Sequence, residues 1–171
     1  SRQPPQTSRC RASHAGGGAF PVCSDGLDVR GRGETEWGPP DGYRTANYVS
    51  DLEAVRAALG LERIALVGTS MGGLISMYYA PAHPERVSHV VLNDIGPELA
   101  PAGRERIISM LRDAPQGFTD MKAVARYYRE SNPSMLSQRS DDEVMEYARW
   151  HVRKDMTVLI WKMDPAVRTA P

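Results

Sequence analysis

Arg63-Ile64-Ala65-Leu66-Val67-Gly68-Thr69-Ser70-Met71-Gly72-Gly73-Leu74 changes character at its midpoint, and that change decides the fold. Arg63 to Val67 is a short apolar run bounded by Glu62 and Gly68, the pattern of a strand buried on both faces. From Gly72 the apolar residues take a helical period, with Leu74, Met77 and Tyr78 facing one way, until Pro81 kinks or weakens the helix and Pro84 stops it. Between the two stands a Gly-x-Ser-x-Gly match, and a strand before it and a helix after it are the context that gives such a match meaning. An abrupt strand-to-helix bend forces Ser70 into a strained backbone, and small neighbours at Gly68 and Gly72 are needed so that nothing clashes. The Ser70 hydroxyl is then exposed. The free N–H of Met71, at the helix start, is placed to donate to an oxyanion on an attacked carbonyl.

On the N-terminal side, Tyr48 to Leu59 puts Tyr48, Leu52, Val55 and Leu59 on one helical face, with Gly60 as the stop. Val87 to Leu92 is a second apolar run and a second buried strand. Helix, strand, helix, strand with short links is the pattern of a parallel sheet in an α/β domain. Beyond Pro97 the chain predicts helices without strands, over Ala102 to Arg112, Asp120 to Glu130 and Asp141 to Asp155. Ser140 with Glu143 three residues later forms a capping box that fixes the last start. The first of these helices presents Ile107, Ile108 and Leu111 on its apolar face, and the third presents Val144, Tyr147, Ala148 and His151. The chain divides into an irregular segment 1–27, a core segment 28–98 and a helical cap-like segment 99–171.

Composition narrows the function. The 171 residues carry 21 Lys and Arg against 21 Asp and Glu, with no basic block, which excludes an electrostatic footprint for nucleic acid. No apolar stretch approaches the roughly 18 residues of a membrane span, and Cys10 and Cys23 form neither a disulfide framework nor a zinc spacing. Nucleotide and metal motifs are absent, so no cofactor and no metal is expected, and the chain reads as reduced and cytoplasmic.

The segment Arg63 to Glu98 resembles the nucleophile region of the α/β-hydrolase superfamily. Asp28-Val29-Arg30-Gly31-Arg32-Gly33 resembles that family's Asp-x-Arg-Gly-x-Gly turn, and Asp51 to Val55 with Leu59-Gly60-Leu61 resembles the helix that follows. Ser70 falls on the nucleophile elbow. His83-Pro84-Glu85-Arg86-Val87 and Val91 to Pro97 resemble the next helix end and strand, and Trp161 to Val167, with Asp164-Pro165-Ala166, the end of the cap. The resemblance runs from Asp28 to Val167 and is strongest from Asp51 to Pro97. It implies part of a doubly wound, mostly parallel sheet with the start of a helical cap. It also implies hydrolysis of a carboxylic ester or lactone, in which Ser70 forms an acyl-enzyme and the Met71 N–H holds the oxyanion. A serine at the elbow argues against haloalkane dehalogenases and epoxide hydrolases, which use a carboxylate nucleophile, and leaves carbon–carbon bond hydrolysis and perhydrolysis open.

The family's acid and histidine come after the cap, and the chain ends at Pro171 before them, so a catalytically incomplete fragment with at most a binding role is the competing expectation. Exposed sheet edges would then favour self-association. Asp94, closing the strand after the nucleophile helix, is the alternative acid or a turn residue. His14-Ala15-Gly16-Gly17-Gly18 superficially resembles an oxyanion loop or is a flexible glycine run. His83 and His89 lie at the wrong ends of their elements, and His151 is a packed histidine or a cap residue facing the site. Tyr78, Tyr79, Tyr127, Tyr128, Trp150 and Trp161 are expected chiefly to bury area, and Arg30 and Arg32 to hold the turn.

Overall fold

A computed structural model describes residues 25–168. Helix α1 (Thr45–Ala58), strand β1 (Ile64–Thr69), helix α2 (Met71–Ala82) and strand β2 (Val87–Asn93) come in that order. Parallel strands need a crossover of a dozen or so residues, and α2 supplies it. β1 and β2 pair in parallel, Leu66 with Val90, Val67 with Val91 and Thr69 with Asn93, so both strands finish level at their carboxyl ends. α2 packs on this pair and α1 packs on α2.

The expected burial of both strands on two faces is not what the structure shows. Val67 is 77% exposed and Val91 53%, and only Gly68 of β1 is buried. The described helices cover one face, so Ile64, Leu66 and Gly68 turn towards α2 while Ala65, Val67 and Thr69 stay open. The inward face of α2 also differs from the expected Leu74, Met77 and Tyr78. Gly73, Ile75, Ser76 and Tyr79 are buried and Tyr78 is 59% exposed. Two contacts set that rotation: the close approach of Gly73 to Gly68, and the Tyr79 hydroxyl, which donates to Glu53 Oε2 of α1 at 2.6 Å. Glu53 in turn accepts from the buried Arg56, tying the end of α1 to α2.

Beyond β2 come α3 (Pro101–Asp113), α4 (Met121–Ser131), the single turn α5 (Pro133–Leu136) and α6 (Asp141–Arg149). The capping box is formed: Ser140 Oγ accepts from Glu143 N–H while Glu143 accepts from the Ser140 N–H. The expected continuation of α6 to Asp155 is replaced by an antiparallel hairpin of β3 (Val152–Asp155) and β4 (Val158–Trp161). Met156, at φ 50°, makes the turn. Val158 to Trp161 is a β-prone partner for Val152 onward, and Phe118 adds backbone bonds of 2.8 Å to Leu159 in both directions. Val124, Ala148, Val152, Phe118 and Trp161 form the core of this layer, with Tyr127 and Tyr128 packed on it. Trp161 donates its indole N–H to the Pro115 carbonyl at 2.6 Å. α3 has no fully buried residue: of its expected apolar face Leu111 is half-buried, while Ile107 and Ile108 are each 46% exposed.

A second cluster joins Tyr43, Tyr48, Ile75 and Val167, and Met163 packs against both clusters. Among the described residues no helix is long and apolar enough to cross a membrane, and no group of three His, Cys, Asp or Glu is placed to hold a metal ion. Cys10, His14 and the Gly16 to Gly18 run lie outside the described residues.

Candidate active site

The turn from β1 into α2 takes one residue. Ser70 stands at φ 49° and ψ −114°, a backbone that L-residues rarely adopt. It is held from both sides. The Ser70 N–H donates to the Asn93 carbonyl at 3.1 Å, and the Leu74 N–H donates to the Ser70 carbonyl at 3.0 Å. The side chain is thereby thrown outward, and Ser70 is exposed. The approach depends on glycine at two places. A Cβ on Gly68 would fall into the backbone of Gly72 and Gly73, and one on Gly73 would meet Ile95 Cγ2 and, at 3.0 Å, the Gly68 carbonyl oxygen. Gly72, expected to share this task with Gly68, has nothing within 4 Å of the position its Cβ would take. Gly73 is the glycine that meets the strand.

Met71 is the first residue of α2. Its N–H is among the helix-start donors without an acceptor four residues back, and the helix dipole places partial positive charge there beside Ser70. Parallel register sets Asp94 one residue past Asn93, at the same end of the sheet. Asp94 is exposed and also left-handed, at φ 53°. Asn93 Nδ2 donates to Thr69 Oγ1 at 3.2 Å, locking the two strand ends that carry Ser70 and Asp94.

The histidines are not brought to this end. His83 follows the last residue of α2, about 20 Å along the helix from Ser70. His89 pairs with Ala65, roughly 16 Å along β2 from Asp94. His151 packs in the helical layer, its ring 5.0 Å from that of Tyr128 and 4.7 Å from that of Tyr147, with Nδ1 2.9 Å from the Tyr147 carbonyl oxygen. Burial holds its pKa below the ordinary histidine value. Among the described residues, then, the strand-to-helix turn presents an exposed serine hydroxyl beside the first N–H of α2, and no imidazole is bonded to that serine.

The loop before α1 is built around Arg30, whose guanidinium forks onto both oxygens of Asp51. Arg32 instead runs inward and donates to Met163 Sδ at 3.3 Å. Sequence reasoning missed the pairing of Arg30 with Asp51 and the close approach of Gly73 to the strand. For Gly73, the doublet Gly72-Gly73 was the available signal.

The model of the family described as alpha/beta hydrolase fold matches residues 26–169. The chain belongs to the alpha/beta hydrolase fold family. It is 47% identical over 81 residues to the 3-hydroxybutyrate-oligomer hydrolase of Cupriavidus necator, covering 47% of this chain and 28% of that protein. It is 37% identical over 70 residues to the proline iminopeptidase of Neisseria gonorrhoeae, 40% of this chain and 23% of that one. The crystal structure of an alpha/beta hydrolase from Novosphingobium aromaticivorans superposes with a TM-score of 0.74 at 32% identity, over 82% of this chain and 50% of that one. The chain spans half or less of the length of each of these. Relatives of this chain are named for different reactions, so membership fixes the fold family and leaves the reaction to the site.

Proposed function

We propose that the chain carries the nucleophile and one oxyanion donor of a serine hydrolase acting on a carboxylic ester. The observation that carries this reading is the strained, exposed Ser70 at the head of α2. In the proposed reaction Ser70 Oγ attacks the ester carbon and its proton passes to a base outside the described residues. The carbonyl oxygen becomes an oxyanion bonded by the Met71 N–H. Collapse expels the alcohol with that proton and leaves an acyl group on Ser70, which water then releases as the acid. Asp94 is the candidate carboxylate to orient the base, by its place beside Ser70 at the strand ends. The relative named for hydrolysis of 3-hydroxybutyrate oligomers favours an ester of a hydroxy acid as substrate.

Intact-mass analysis after treatment with a fluorophosphonate tests the reading. One adduct on the wild-type protein, lost in Ser70→Ala, is expected, and Asp94→Asn should slow labelling at least tenfold while tolerating the left-handed backbone. A folded protein that takes no adduct would favour a binding role without turnover. An unchanged rate in Asp94→Asn would reduce Asp94 to a turn residue.

A further inference from the structure

The segment that ends the helical layer returns to the core through a buried polar pair. Asp164 is 7% exposed and Tyr43 4%. The Tyr43 hydroxyl donates to Asp164 Oδ2 and accepts from the Gly38 N–H at 2.7 Å. The other carboxylate oxygen accepts from the Ala166 N–H at 2.9 Å. Main-chain bonds flank the pair: Asp164 N–H to the Gly31 carbonyl and Gly33 N–H to the Lys162 carbonyl, both at 2.8 Å. The Tyr43 ring lies against Gly31, where an added Cβ would sit 2.8 Å from Cζ. Lys162 and Glu34 close the outer edge as an ion pair.

Just beyond Asp164 the chain reaches the packing beneath the site. The Val167 N–H donates to the Asp164 carbonyl at 3.0 Å, turning the chain so that Val167 enters the cluster of Tyr43, Tyr48 and Ile75. Met71 and Met163 pack against that same cluster. Ile75 lies one turn along α2 from Met71, so this cluster bears on the helix turn that presents the oxyanion donor. An apolar pair would fill the Tyr43 and Asp164 positions without the cost of desolvating a carboxylate. The polar pair adds direction, because two oxygens with fixed donors allow one register of the 162–167 segment on the 31–43 loop. Burial and the neighbouring carboxylate also hold the Tyr43 pKa above its ordinary value, keeping the phenol a donor.

We propose that Tyr43 and Asp164 form a clasp that positions the first turn of α2, and with it the Met71 N–H, so that both act as positioning residues for the nucleophile site. This rests on the reading of Ser70 as nucleophile. Loosening the clasp leaves Met71 in place along the chain and free to shift, and misplacement by about 1 Å is enough to cost on the order of a hundredfold in rate.

Two variants test it: Tyr43→Phe removes the hydroxyl and keeps the ring, and Asp164→Asn keeps the shape and removes the charge. Amide exchange is read at Leu74, whose N–H holds the Ser70 carbonyl, and at Val124 and Ala148 in the other layer. Fluorophosphonate labelling is read as a maximal rate and a half-saturating concentration. The expected result is at least tenfold faster exchange at Leu74 with Val124 and Ala148 within twofold of wild type. The maximal labelling rate should fall at least tenfold at an unchanged half-saturating concentration. Exchange and labelling within twofold of wild type would overturn the clasp, and so would acceleration spread equally over Val124 and Ala148, which marks a general loss of stability. Should wild type take no label, the functional reading fails and Leu74 exchange alone decides the clasp. Should Asp164→Asn not fold, Tyr43→Phe decides it.

Discussion

Ser70 holds a backbone conformation that costs an L-residue about 1–3 kcal/mol and that glycine adopts freely. Removing the Cβ should release that strain. Ser70→Gly is therefore expected to be about 1 kcal/mol more stable than Ser70→Ala in urea unfolding, although neither variant keeps the hydroxyl. Equal midpoints would mean that the turn stores no strain. The three neighbouring glycines separate in the same measurement. Gly68→Ala and Gly73→Ala push a methyl group into backbone or into Ile95, and each should lose about 1–3 kcal/mol. Gly72→Ala meets open space in the first turn of α2 and should be neutral or up to about 1 kcal/mol more stable. A large loss at Gly72 would contradict the assignment of the close approach to Gly73. The Gly-x-Ser-x-Gly match between strand and helix made the bend at Ser70 and the close approach at Gly68 legible from sequence, because a one-residue turn needs both. Which of two adjacent glycines meets the strand depends on helix rotation, which no local pattern encodes.

Helix α2 is anchored to α1 through Glu53, Arg56 and Tyr79, and that anchor has a pH signature. Hydrogen bonds from Arg56 and then from Tyr79 lower the Glu53 pKa from 4.5 to about 2. A carboxylate whose pKa is depressed on folding stabilises the fold fully above its unfolded value, and this is lost as pH falls through the folded value. The contribution is present above about 4.5 and disappears towards about 2. Glu53→Gln should lower the unfolding midpoint at pH 7 and flatten its decline between pH 5 and pH 2. Parallel curves for the two proteins would show that the anchor is idle. The elements around this anchor were readable in part. Tyr48, Leu52 and Val55 of α1 are buried or half-buried as their spacing predicts, while Leu59 is 46% exposed and the buried residue of the last turn is Arg56. Ser140 with Glu143 announces α6. The β3–β4 hairpin was hidden because Val152 to Asp155 continues the polar composition of α6, and only its pairing with Val158 to Trp161 makes it a strand. His151, just past the end of α6, nevertheless keeps the expected face and packs against Tyr128 and Tyr147, the packed histidine of the two readings.

Across the molecule the layers are unequal. Hydrophobic runs at Arg63 to Val67 and Val87 to Leu92 correctly marked the strands, but their apolar residues carry no record of which neighbours are present to cover them. α2 covers one face of the β1–β2 pair. On the other face Val67 and Val91 lie side by side, 77% and 53% exposed, between Ala65 with His89 and Thr69 with Asn93. β2 adds unpaired backbone along its outer edge among the described strands, a template for another strand. An open edge beside an apolar stripe favours association, since pairing satisfies the backbone and removes the valines from water together. The protein of this sequence should therefore gain mass with concentration in sedimentation equilibrium. Placing lysine at both valines, Val67→Lys with Val91→Lys, sets two like charges opposite one another on the open face, where they oppose a second copy and touch no described core residue. That double variant should sediment as a smaller species at the same concentration, with its helical circular dichroism unchanged. A wild-type protein that stays monomeric over a hundredfold range of concentration would overturn the reading of this face as an association surface.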